Sequence, residues 1–327
     1  MSASQAFIGF AARLYSSRTV QGWRAAASKV LNPLWPQTDE RTLRRQVLVD
    51  RTDAGNAQWH WRRLDGACEL NGGSGELFIK GQRVRRAALP AGTDDLPNPV
   101  DLTAYMRGKV VPRGPVTVLY NGRRSDLGAF ASVLLPRFFA LDALGVPEDV
   151  LSMVTFNMAR RPFFQDALAD GVFRPRAVDL FRPMSVVRTN QVHEYSVPPL
   201  NPGLLTAAQS KLAAIYGPFA NEGPPVLLAE DAHRDAPLLL KTLAERGHAT
   251  QAGAFLVLDP ETTNLFTLIR HLAVAPVVAG PANGVLEAIA LAPRAGRVVF
   301  EIGAMNGATH TQTLARSQGE RYQQLSN

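Results

Sequence analysis

At 327 residues the chain exceeds the usual length of one domain, so two are expected, and 46% hydrophobic with 19% charged residues is an ordinary globular composition with ample core. The net charge of +7, mostly arginine, suits a phosphate-bearing ligand or an anionic membrane surface; without an aromatic-basic RNA signature or Cys/His finger spacing, no nucleic-acid partner is expected. The single cysteine, Cys68, excludes an internal disulfide and a cysteine-based structural zinc site, and no run of about 18 apolar residues suggests a transmembrane helix.

In chain order, residues 1–36 form a segment of their own. Phe7, Ile8, Phe10, Leu14, Trp23 and Val30 alternate with Arg13, Arg18, Arg24 and Lys29, and the first acidic residue is Asp39. Residues 7–31 therefore read as an amphipathic cationic helix that either lies on a membrane surface or packs on the body of the protein. Arginines interrupt the apolar residues, which disfavours a signal peptide and leaves a mitochondrial-type presequence open. Residues 44–90, with the turn Asn71-Gly72-Gly73-Ser74-Gly75, read as a small β-rich region. Within it, alternation puts Trp59 and Trp61 on one face and His60 on the other, as core residues rather than a sugar-stacking site. Residues 88–102 are Pro-, Gly- and Asp-rich, hence a loop or linker.

From Val116 strands and helices alternate. A strand at 116–120 precedes a long apolar helix at 127–144, which Pro136 should kink. Another strand is expected at 152–156, a helix at 162–171, strand-like runs at 186–187 and 192–197, and a connecting helix at 203–216. Gly217 to Pro225 has the composition of a hinge, giving an N-terminal domain over 37–216 and a C-terminal domain over 222–327. Beyond the hinge, strands at 226–229, 254–258, 276–280 and 297–303 alternate with helices at 236–246, 262–272 and 285–293. That pattern implies α/β architecture with a parallel, doubly wound sheet, whose ligands sit outside the carboxyl ends of the strands.

The C-terminal stretch runs Gly280-Pro281-Ala282-Asn283-Gly284, then Val299-Phe300-Glu301-Ile302, then Leu314-Ala315, Gly319 and Tyr322. This pattern resembles the end of family-61 glycosyltransferases, and Leu135-Pro136-Arg137 resembles a second stretch of that family. At two positions where the family has histidine the chain has Ala129 and Ala282. The resemblance implies a GT-B-like fold of two Rossmann-like doubly wound domains with the small β-rich region before them. It further implies an acceptor-side first domain and a C-terminal domain that binds a nucleotide sugar. The implied activity is inverting transfer of a sugar to a surface or capsular glycan, or to a lipid-linked glycan, by a cytoplasmic protein that can sit peripherally on the inner membrane face. The alternative is a catalytically silent relative serving as a binding or scaffold subunit of polysaccharide assembly.

Glycosyl transfer needs charge stabilisation for the leaving diphosphate, a base for the acceptor hydroxyl, and exclusion of water. Backbone N–H groups at the Asn283-Gly284 corner can serve the first need, and so can a plain strand–helix turn that binds nothing. The donor-side candidates are Arg234, as a phosphate cation, with Gly280, Pro281, Asn283, Gly284 and Glu301. Glu301 could accept from a ribose hydroxyl or cap backbone groups at its strand end. Glu230 and Asp231, next to Arg234, would repel a diphosphate. Asp126, His193 and Glu194, each at an expected element end, are the candidate bases. No Asp-x-Asp triad occurs, so neither a metal nor any cofactor beyond the donor substrate is expected. Phe300 to Thr309 also looks like the first motif of an S-adenosylmethionine methyltransferase, but only about 18 residues follow where that fold needs several βα units.

Overall fold

The computed structural model describes residues 37–38, 47–53, 56–72, 75–79, 82–84, 109–120, 122, 124–182, 185–196, 200–220, 222–231, 233–248, 255–303 and 309–325. The expected helix over 7–31, the linker over 88–102, the side chains of Trp59, His60 and Trp61, and part of the 300–309 motif lie outside the described residues. The chain is α/β, with one mixed and one parallel sheet. Internal contacts divide it into two units that interleave in sequence instead of meeting once at 217–225. Unit one takes residues 1–123, 148–156 and 176–196, and unit two takes 124–147, 157–175 and 197–327. No helix among the described residues is long and apolar enough to cross a membrane.

Unit one is built on a ten-stranded sheet. Its strands are β1 (Gln37–Thr38), β2 (Val47–Asp53), β3 (Asn56–Asn71), β4 (Leu77–Ile79), β5 (Gln82–Val84), β6 (Lys109–Pro112), β7 (Val116–Tyr120), β8 (Leu151–Val154), β9 (Val178–Leu180) and β10 (Ser185–Ser196). The order is β1-β5-β4-β3-β10-β7-β8-β9, with β2 on β3 and β6 on β10. The long strands β3 and β10 pair antiparallel, while β10, β7, β8 and β9 run parallel. The described residues within 44–90 are β-rich as expected, β2 to β5, and β3 is hydrogen-bonded into the same sheet as the later strands. The sheet is also mixed, not purely parallel.

Side chains alternate across this sheet. Leu64, Val192 and Val116 lie in register on one face and pack with Leu70, Leu77, Met153, Phe181 and Val187. Cys68 belongs to that core, and burial pushes its thiol up to about 11. Across the other face runs a polar row in register, Arg63, His193, Thr117 and Ser152, of which the last three are buried.

Unit two carries a five-stranded, all-parallel sheet: β11 (Val226–Leu228), β12 (Leu256–Leu258), β13 (Val277–Pro281), β14 (Val298–Ile302) and β15 (Arg321–Leu325), in the order β12-β11-β13-β14-β15. Its helices are α1 (Leu127–Ala129), which passes through a π-helical turn at Phe130–Leu134 into α2 (Leu135–Ala143), then α3 (Phe156–Ala159), α4 (Pro162–Ala169), α5 (Pro202–Tyr216), α6 (Asp235–Leu243), α7 (Leu265–Val274), a 3-10 helix at Val285–Leu291, and α8 (His310–Ser317). The π turn adjoins Pro136, which has no N–H to give the Ser132 carbonyl; the Leu135 N–H instead reaches back to the Phe130 carbonyl. Aromatic rings hold the helices together, with Phe130 5.3 Å from Phe163, Phe164 5.3 Å from Phe173, and Phe138 5.1 Å from Phe173. On one face of the sheet α6 packs Ala236, Leu239 and Leu243 against Leu227, Val277, Ala279, Phe300 and Ile302.

Two elements differ from expectation. The expected α-helix after Gly284 is a 3-10 helix in which all seven residues are buried. With no solvent face there is no 3.6-residue period to distinguish the two forms. The strand β15 was not expected, because as the sheet edge it buries only Leu325. Beneath β14, Arg297 is fully buried and donates to the carbonyls of Leu272 (2.8 Å), Ala292 (3.0 Å) and Ile289 (3.4 Å), and to the buried Glu320 carboxylate.

Candidate functional site

In the order β12-β11-β13-β14-β15 the chain leaves β11 toward one edge and returns to build the other, so the topological switch point lies between β11 and β13. Pairing of these two strands ends at Leu227↔Ala279, whereas β13 and β14 stay paired to Pro281↔Ile302. Gly280 lies at this point, and a Cβ there would come within 3.1 Å of both the Leu228 carbonyl oxygen and the Leu286 side chain. A side chain there would be tight, and either neighbour would have to give by a few tenths of an ångström.

Four segments bring charge to this carboxyl edge. Glu230 follows β11, Asp259 and Glu261 follow β12, Arg124, Ser125 and Asp126 precede α1, and Arg161 precedes α4. Pro162 at the first turn of α4 sets Arg161 as the last extended residue before it. The Arg161 guanidinium donates Nε and Nη2 to the Ser125 hydroxyl (3.2 and 2.8 Å) and Nη1 to Glu261. The Asp259 carboxylate accepts from the Glu261 N–H at 2.8 Å, fixing the turn that presents Glu261.

Arg124 closes the neighbouring corner. It holds Asp126 bidentately (3.0 and 2.9 Å), Glu287 at 2.9 Å and the Gly284 carbonyl at 3.2 Å. Glu287 is buried and also accepts from the Ser132 hydroxyl. Burial lowers the proton affinity of Arg124, but hydrogen bonds and charge from Asp126 and Glu287 outweigh it and raise the balance. Gly284 takes a left-handed φ of 92°, and a Cβ there would strike Arg124. The Val285 N–H is taken by the Asn283 side chain at 3.1 Å. The 3-10 helix that starts here already has an internal carboxylate, Glu287, in its first turn.

The sequence-derived candidates are thus distributed over the molecule. Asp126 lies at the mouth of the sheet, engaged with Arg124 and accepting from the Ala129 N–H at 2.9 Å as the cap of α1. Gly280, Pro281, Asn283 and Gly284 lie at the end of β13, with Asn283 exposed. Arg234 is exposed and pairs with Asp235 at 2.7 Å, on the surface at the start of α6. Glu301 is buried near the end of β14, where one carboxylate oxygen accepts from Thr309 (2.8 Å) and Tyr322 (2.5 Å). Burial, and then the bond to Glu301, pushes the Tyr322 hydroxyl up to about 12. His193 and Glu194 belong to unit one and lie inside β10, not at an element end.

His193 is 1% exposed, with Nε2 3.0 Å from the Gln191 side-chain oxygen. Burial, and then the charge of Arg63, lowers its pKa to about 4. The unfolded chain, with a histidine pKa near 6.5, therefore binds more protons between these values. The stability His193 contributes is complete above about pH 6.5 and is lost as the pH falls toward 4, by about 3 kcal/mol for a shift of that size. Urea unfolding of the parent and of His193→Gln from pH 7 to 4 should show a shallower decline in the variant; parallel declines would exclude this role.

Sequence reasoning did not select Arg124, Ser125, Arg161, Glu261, Ser132 or Glu287. Two local signals existed: Arg161-Pro162 marks a helix start, and Glu287 is the sole charge in the apolar run 285–292, which calls for a buried partner. No family model matches the chain, and no curated protein matches it. What the mouth of this sheet can do is bind through the partly exposed guanidinium of Arg161, since Arg124 is taken up by Asp126, Glu287 and Gly284, and exchange protons through the carboxylates that are not already paired.

Proposed function

We propose that the chain is a glycosyltransferase resembling family 61. It holds a nucleotide-activated sugar at the carboxyl edge of the β11–β15 sheet and transfers the sugar, with inversion, to a surface or capsular glycan or a lipid-linked precursor. The observation that carries this reading is Arg161, bonded to Ser125 and to Glu261 beyond the end of β12, at the carboxyl edge of an all-parallel sheet, the edge at which such sheets take phosphorylated ligands. Support comes also from Glu301 and Tyr322, two residues of the family-like pattern, which are hydrogen-bonded to each other at 2.5 Å. In this reading Arg161, not Arg234, is the cation for the diphosphate, which would replace Glu261 and Ser125 as its partner. Unit one would take the acceptor, completing a GT-B-like protein at the cytoplasmic face of a membrane.

A second reading, a catalytically silent binding or scaffold subunit, is favoured by a different observation. Arg124 occupies the Gly284 corner, Glu287 supplies the anion there, and Ala129 and Ala282 stand at the family's histidine positions.

Calorimetric titration with a panel of nucleotide sugars and free nucleoside diphosphates tests both. The proposal expects one donor to bind and Arg161→Ala to weaken it about tenfold or more, the loss of one charge-assisted contact. Binding by no member of the panel would sink it. Binding of a donor without release of its nucleoside diphosphate would favour the silent subunit.

A further inference from the structure

The carboxylates at the mouth of the unit-two sheet are not equivalent. Asp126 caps α1 and is held bidentately by Arg124, Glu261 is paired with Arg161, Asp235 with Arg234, and Glu287 is buried between Arg124 and Ser132. Each is a structural partner whose proton traffic would break a bond. Glu230 differs: among the described residues it makes no hydrogen bond or ion pair, and it remains exposed two residues beyond the end of β11. It follows the strand that parts from β13 at the switch point.

Resting on the transferase reading above, we infer that Glu230 is the catalytic base, the group that takes the proton from the acceptor hydroxyl. In the step it serves, the hydroxyl oxygen forms its bond to the anomeric carbon while the bond from that carbon to the diphosphate oxygen breaks. The electron pair leaves with the diphosphate, the hydroxyl proton passes to the Glu230 carboxylate, and Glu230 then returns it to solvent. With water in place of the glycan the same step hydrolyses the donor.

The surroundings of Glu230 suit the role. Although its side chain reaches solvent, partial burial raises its proton affinity, the negative charges of Asp126 and Glu261 raise it further, Arg161 lowers it, and Asp235 adds a smaller rise. A carboxylate whose proton affinity is lifted toward working pH is a better base than one held at its ordinary value. The same charges make Glu230 unfit to bind phosphate, so the acidic residue that argues against a diphosphate beside β11 gains a purpose on the acceptor side. With the base on Glu230, the alanines at the two family histidine positions, Ala129 and Ala282, need not supply it.

The test uses the full chain, the nucleotide-sugar panel and the variants Glu230→Gln and Glu230→Asp. Donor affinity is read by calorimetry, and turnover by release of nucleoside diphosphate from pH 5 to 9. The inference expects Glu230→Gln to bind the donor as the parent does, to keep its thermal midpoint, and to turn over about 100- to 10,000-fold more slowly, with the acid limb of the pH profile gone. Glu230→Asp should recover part of the rate and keep that limb. Turnover by Glu230→Gln at the parental rate, or with the acid limb intact, would overturn the inference while leaving donor binding standing. Failure of the parent to bind any donor removes the transferase reading itself. A parent that binds donor but never releases nucleoside diphosphate overturns the inference and retains the binding subunit.

Discussion

Arg297→Ala is expected to destabilise the protein by about 3–5 kcal/mol, the range for removing one partner of a buried ion pair. Arg297 and Glu320 both have side-chain exposures of 0%, so water cannot take over the lost contact. Burial pushes Arg297 down and Glu320 up, and each partner's charge pulls the other back toward the ionised form. The guanidinium also ties the end of α7 (Leu272) and the end of the 3-10 helix (Ile289, Ala292) to the segment before β15, so alanine would strand three carbonyls as well as a carboxylate. The loss should shrink as the pH falls into the carboxylate range, because Glu320 can then be buried neutral. The double variant Arg297→Met with Glu320→Leu should recover most of the stability, since apolar replacement of both partners removes the desolvation cost with the attraction. Urea unfolding at pH 7 and pH 5 checks both statements; a single variant within about 1 kcal/mol of the parent would show the pair to be hydrated.

The second large effect is expected at Arg124→Met, again about 3–5 kcal/mol, because it leaves the Glu287 carboxylate with the Ser132 hydroxyl alone. Glu287 is 4% exposed and Arg124 21%, so most of the pair lies out of water and screening discounts it little. Methionine retains the packing of the aliphatic stem and isolates the charge term. Adding Glu287→Gln should restore part of the loss, since a neutral amide can accept from Ser132 without carrying a buried charge. Unfolding measurements of the two single variants and the double variant give the coupling between them; a coupling near zero would mean that Arg124 is held by Asp126 instead. The result also bears on ligand binding, because a corner sealed by Arg124 for stability is not open to a diphosphate.

Much of unit two was legible locally. The apolar runs at β11, β12, β13 and β14 and the helix signals between them place the elements within a few residues, since hydrophobic alternation and helix period are properties of neighbouring residues. Gly280 and Gly284 were picked out as a corner; Gly284 needs to be glycine for its left-handed φ, and Gly280 leaves little room for a Cβ. The interleaving of the units was not legible. The Phe130, Phe138, Phe163, Phe164 and Phe173 rings pack with one another inside unit two, although they lie between strands of unit one. Local pattern states that a helix is apolar; it does not state which sheet or helix will cover it.

What the sequence by itself determined is the α/β class, most strand and helix positions beyond Val116, and the segment of the last third that forms the carboxyl edge of the parallel sheet. Only the tertiary structure decided which charges meet there. Arg124 reaches Glu287 across 163 residues and Arg161 reaches Glu261 across 100, so neither pair leaves a trace in any local window. The edge strand β15 was hidden for the opposite reason, being so exposed that its residues stay polar. Periodicity records how each segment meets water and core; the partner of a buried charge is set by the order in which strands assemble into a sheet, and that order is not a local property of the chain.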